Sequence, residues 1–129
     1  VADSGNHRIF RLNANYHHSA FPHVKPDFVH ELARSAGTAP GHFLNPAGIA
    51  IVGVGDAMRL IISEWQGKRI QVLTANGIPL QVISPSGGRR LGGVCLLRRR
   101  DLDRSLDPWR LVVVDRAASR LYLLKRASH

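Results

Sequence analysis

Three acid–arginine pairs stand at one spacing in this chain: Asp3 with Arg8, Glu64 with Arg69, and Asp115 with Arg120. A carboxylate five residues before a guanidinium could serve as an acid–base or ligand-binding pair. It could equally be structural, the acid accepting turn N–H groups and the arginine pairing within or between repeats. Recurrence favours the structural role, because an active site is needed once and not once per repeat. Imidazole is the commonest metal ligand, and His7 and His42 fall in loops on one face with Asp3 near. No His-x-x-x-His spacing accompanies them, and His17, His18 and His23 fall in a polar insertion. No metal site and no cofactor are therefore expected. Neither Cys95 nor any serine stands in a nucleophile setting, so no catalytic residue is assigned and the chain is read as a non-enzyme.

A second group offers binding chemistry. Trp65, Lys68, Arg89, Arg90 and Arg116 place cations beside an aromatic ring. That combination suits stacking and phosphate contact on single-stranded RNA, and it suits a protein interface, where Trp and Arg are enriched as anchors. The whole chain shares the bias: 18 Lys and Arg against nine acids give +9, and 15 of the 18 are arginine. Such an excess attracts RNA, DNA or acidic protein. The run Arg98–Arg100 is read as solvated, or as paired with Asp101, Asp103 and Asp107.

The elements that must position these residues are repeated. Val1–Leu12, Ile62–Leu73 and Val113–Leu124 align, with the acid third, the arginine eighth, Ile or Leu ninth and Leu last. A further segment recurs ahead of the second and third copies, Asn45–Ile51 and Arg90–Leu96, with Gly48 matching Gly93. Between turn signals the second copy reads as four short strands, about 47–52, 59–64, 69–74 and 79–83. Asn76-Gly77 is a hairpin signal because both residues tolerate positive φ, and Pro79 suits a strand start or an outer edge. The first copy begins at its second strand and continues to a fourth at about 27–32. The third copy supplies strands at about 92–97, 110–115 and 120–124. Cys95 is expected to be a small buried residue on the first of these.

Four consecutive antiparallel strands make a meander, and a repeated meander is a propeller blade. The fold expected is all-β: one segment over 1–129, with a partial blade at 1–35, a full blade at 44–83 and a partial blade at 90–126. Three blades do not close a ring, so protein partners are expected at the open edges, and strand addition by a partner is available there. Loops joining strand two to three, and strand four to the next blade, share one face, which collects Trp65, Lys68, Arg89, Arg90 and Arg116.

The stretch Val-Ala-Asp-Ser-Gly-Asn-His-Arg-Ile at 1–9 resembles the signature of the NHL repeat family. Residues 38–51 resemble the stretch by which such repeats lead into their next blade. The third copy is degenerate, with Ala118 at the place of Asn6 and Leu91 at the place of Pro46. The resemblance implies a β-propeller and three kinds of function. Some members bind RNA or protein on one flat face, others scaffold assemblies, and others are related to metal-dependent lyases and lactonases with a site in the central channel. The residues favour a non-catalytic scaffold mediating protein–protein assembly, with RNA binding second and an enzyme third.

Apolar residues make up 44% of the chain, and runs such as Leu111–Val114 are four residues long. A bilayer crossing takes roughly 20, so no membrane partner is expected. The opening residues lack the apolar core of a secretory signal, and the chain does not begin with Met, which fits a piece of something longer. One cysteine excludes an internal disulfide and fits a reducing, intracellular and cytoplasmic setting, an organelle remaining open.

Overall fold

The computed structural model describes residues 1–12, 29–32, 36–87, 90–98 and 109–125. Ten strands run through them: β1 (Ala2–Asp3), β2 (Arg8–Leu12), β3 (Val29–Glu31), β4 (Pro46–Val52), β5 (Arg59–Glu64), β6 (Arg69–Thr74), β7 (Pro79–Ile83), β8 (Leu91–Arg98), β9 (Trp109–Asp115) and β10 (Arg120–Lys125). They form three antiparallel sheets in the orders β1-β2-β3, β4-β5-β6-β7 and β10-β9-β8. The protein is all-β. The described residues include two single turns of 3₁₀ helix and no helix long and apolar enough to cross a membrane.

Sequence and structure agree closely on the strands. β5, β6 and β7 begin and end where turn residues bracket the apolar runs, and the other strands differ from expectation by a residue or two. The Asn-Gly turn differs in kind: Gly77 takes φ 86, while Asn76 is not among the left-handed residues. Thr74 Oγ1 accepts from the Ile78 amide (3.1 Å) and stabilises the longer loop that results. Pro79 does open the edge strand β7, opposite Leu73. The insertions expected near 13–25 and 98–108 lie outside the described residues, apart from the place of Arg98 at the end of β8.

The two inner strands of the middle sheet, β5 and β6, are buried on both faces, which accounts for the unbroken apolar run in β5. On one side Leu60, Ile62 and Leu73 join Ile9 of the first sheet around Phe43. On the other, Ala50, Ile61 and Ile70 join Leu91, Leu111 and Val113 of the third sheet. Period-2 alternation makes this possible, since Leu60 and Ile62 point one way and Ile61 the other. Each such side chain is worth about 1.5–3 kcal/mol when fully buried.

A polar contact sets the approach of the second and third sheets. The Ser63 hydroxyl donates to the Gly92 carbonyl and accepts from the Gly48 amide (3.0 Å). A Cβ at Gly48 would stand 2.7 Å from the Val94 amide nitrogen and 2.8 Å from both Gly92 O and Ser63 Oγ. Gly48, singled out in the sequence because it matches Gly93, thus permits two backbones to meet.

Cys95 is corrected by the structure: it is exposed. It pairs with Val112 on the face of the third sheet turned away from the second, where no described residue packs over it.

Gly48→Ala is expected to lower stability by about 1–3 kcal/mol, since the added methyl meets the Gly92 and Val94 backbone of β8 and the Ser63 hydroxyl. A Cβ at Gly5 would meet nothing within 4 Å, so Gly5→Ala should stay within roughly 0.5 kcal/mol. Urea unfolding of the two variants checks the contrast.

Candidate functional site

The acid of each pair ends one strand and the arginine opens the next, with a tight turn between. The residue before the arginine is left-handed in all three copies: His7 at φ 55, Lys68 at φ 54 and Ser119 at φ 52. A non-glycine residue with positive φ is uncommon, so three at one repeat position identify one turn made three times. In the first two copies this conformation brings the arginine back over the carboxylate.

The second pair is a closed polar core. Arg69 Nε donates to Glu64 Oε2 (2.6 Å), with the Glu64 carboxylate fully buried. Gln71 Nε2 donates to Glu64 Oε2 (3.0 Å), and the Leu44 amide donates to Oε1 (2.8 Å). The remaining guanidinium donors reach backbone carbonyls of residues 37–42, among them Thr38 and His42 (2.8 Å). Gln71 also donates to the His42 carbonyl (2.7 Å) and accepts from the Gly41 amide (2.9 Å). The network holds the segment that leads into β4.

The first pair is more open. Arg8 Nε donates to Asp3 Oδ2 (2.8 Å), Asn6 Nδ2 donates to both Asp3 oxygens, and Arg8 lies 4.5 Å from the Phe10 ring centroid. The hydrogen bond from Arg8, and then that from Asn6, hold the Asp3 carboxyl below its ordinary value of 3.8. In the third copy the buried Asp115 carboxylate accepts from the Ala118 amide (3.1 Å), the Arg90 amide (3.3 Å) and the Tyr122 hydroxyl (3.3 Å). Arg120 is exposed, and the acid–arginine ion pairs among the described residues are those of the first and second copies.

Three of the five residues expected to bind a partner come together. Arg90 Cζ lies 5.5 Å, and Arg116 Cζ 5.4 Å, from the Trp65 ring centroid. Both arginines are exposed and Trp65 is half-buried. Lys68 is exposed in the same turn as Trp65, with no ion pair among the described residues. Arg89 lies outside the described residues. The cluster sits on a seam with its own repeat: the Trp65 amide donates to the Asn45 carbonyl (2.8 Å), as the Arg116 amide does to the Arg90 carbonyl (3.1 Å). On the neighbouring seam the Asn45 amide donates to His7 Nδ1 (2.9 Å) and its side chain to the Ser4 carbonyl (3.0 Å). The loops expected on one face therefore do meet along these seams.

Among the described residues no three His, Cys, Asp or Glu side chains are grouped to hold a metal ion. His7 is engaged with Asn45, while His17, His18 and His23 lie outside the described residues. Phe43, Ser63 and Gln71 carry little signal in the sequence. Phe43 sits in a loop-like stretch, and Ser63 and Gln71 are polar residues whose only signal is their position inside otherwise apolar strands. No family model matches the chain, and no curated protein matches it.

Arg69→Leu leaves the buried Glu64 carboxylate short of donors and should cost about 3–5 kcal/mol in denaturant unfolding. Asp3 gives a pH signature. Its depressed value contributes stability that is present above 3.8, the unfolded value, and is lost as pH falls through the folded one. Carboxyl NMR titration should find Asp3 below 3.8, with Arg8→Gln moving it back upward.

Proposed function

We propose that the three sheets are blades of an NHL-type β-propeller, one complete and two partial, and that the chain is a non-catalytic scaffold joining other protein chains in a larger protein or complex. Two features support the blade reading. The NHL-like stretches at 1–9 and 38–51 fall on the turn and lead-in that recur, and the middle sheet packs face to face with sheets on both sides. The acid–arginine pairs are engaged in holding turns and lead-in segments, which favours structure over chemistry for them.

The observation that carries the assembly reading is the Trp65–Arg90–Arg116 cluster. A half-buried indole with two exposed guanidinium groups matches the side chains that anchor protein interfaces, and a chain of charge +9 favours an acidic partner surface. RNA binding is the second reading, favoured by the same stacked guanidinium groups. It ranks lower because a base must compete with an arginine for the Trp65 ring.

The two readings separate by crosslinking. A photoreactive amino acid at position 68, exposed and beside the cluster, should yield protease-sensitive adducts in cells, reduced about tenfold or more by Trp65→Ala, the size of a typical anchor loss. RNase-sensitive adducts would instead support RNA, together with in vitro affinity for single-stranded RNA that falls steeply with salt. Adducts unchanged by Trp65→Ala would remove the cluster from either role.

A further inference from the structure

The guanidinium groups of Arg90 and Arg116 share the Trp65 ring and pair with no carboxylate among the described residues. Attraction to a ring acts on the cation and takes up no N–H donor, so both forks keep their donors for a ligand. The nearest acid in sequence, Asp115, is buried and accepts from the Ala118 and Arg90 amides and from the Tyr122 hydroxyl. Its charge is offset by Lys68, exposed in the same turn as Trp65. Among the described residues, two positive charges therefore stand open at one place. The frame beneath them is fixed by the bonds of the Trp65 and Arg116 amides.

Charge decides which ligand fits. A carboxylate and a phosphodiester each carry one negative charge and leave one guanidinium unmatched. A phosphomonoester carries about −1.5 to −2 at pH 7 and offers three acceptor oxygens, enough for two guanidinium forks. On a protein surface such a group is a phosphorylated serine, threonine or tyrosine.

We propose that the cluster recognises a phosphorylated side chain of the partner protein, its phosphoryl group held by Arg90 and Arg116 beside Trp65. Recognition of phosphorylated motifs by grouped arginines is a recurring mode of peptide binding. The inference rests on the assembly reading and narrows it: the acidic feature of the partner is a phosphoryl group, and assembly follows its phosphorylation.

Three small anions test the choice: N-acetyl-phosphoserine amide, N-acetyl-aspartate amide and dimethyl phosphate. Each is titrated into the full chain at one ionic strength and followed by the Trp65 indole N–H signal in NMR. The phosphoserine probe should bind about tenfold or more tighter than the other two, the effect of one further charge-assisted hydrogen bond. Arg90→Gln and Arg116→Gln should each remove that preference. Arg110→Gln, at an exposed arginine on the far end of β9, should keep it. An unmoved Trp65 signal, or equal loss in the Arg110 variant, overturns the proposal. Dimethyl phosphate bound as tightly as phosphoserine overturns it in favour of an RNA backbone, and aspartate bound as tightly overturns it in favour of plain acidic residues. A second arm separates this inference from the reading beneath it. Dephosphorylating an extract before irradiation should lower the Trp65-dependent protein adducts formed at position 68. Adducts that keep their Trp65 dependence after that treatment overturn phosphoryl recognition and leave the assembly reading standing.

Discussion

A carboxylate with no exposed surface survives folding only where donors replace the water it has lost, and Glu64 collects them from Arg69 and Gln71 of β6 and from the Leu44 amide. The Cβ position of Gly67 stands 2.7 Å from Glu64 Oε1, so the turn after the carboxylate leaves no room for a side chain there. The remaining donors of Arg69 and Gln71 then fix residues 37–42. That fixes Phe43, and Phe43 fills the space between the first and second sheets. The apolar core on that side is thus assembled around a polar clamp, and removing one member of the clamp removes the reason for the loop to lie where it does.

The three copies show how far one local design tolerates change. The left-handed residue before the arginine is kept as His7, Lys68 and Ser119, so the backbone turn does not depend on which side chain occupies it. What the acid does with that turn varies. Under residues 37–44 Glu64 is buried and saturated. Asp3 has a partly exposed arginine and Asn6. Asp115, one methylene shorter than Glu64, is served by two amides and Tyr122, while Arg120 stands exposed. The recurrent element is the carboxylate at the turn, and its close ion pair with the arginine belongs to the first two copies.

These differences mark what the sequence could and could not disclose. Strands β5 to β7 are legible because apolar alternation and turn residues are local signals, and each agrees with the other. The pairing of sheets is less so. Ser63 looks like an ordinary polar residue, and its bond to Gly92 exists only because strands distant in sequence stack. Gln71 interrupts an apolar strand without a local reason, its partners being a glutamate and a loop. A small thiol on a strand is usually buried, yet the burial of Cys95 depends on whether a sheet lies beyond it. The candidate site is legible as a composition, cations with a tryptophan, but the choice of Arg90 and Arg116 as the two that meet the ring depends on the stacking of sheets.

The seam geometry links that surface to the interior. On each seam a residue just after the acid faces a residue just before the next sheet: Ser4 with Asn45, then Trp65 with Arg90. Backbone bonds hold the frame beneath them, the Trp65 amide to the Asn45 carbonyl and the Arg116 amide to the Arg90 carbonyl, with Asp115 accepting from the Arg90 amide as well. The side chains that project from this frame are free to differ, and they do. Two guanidinium groups near one indole repel each other, and the arrangement holds because the ring attracts both cations and the backbone beneath them is fixed by buried contacts. A surface built this way is rigid where it is anchored and open in its chemistry, which is the condition under which a few exposed side chains can select a partner.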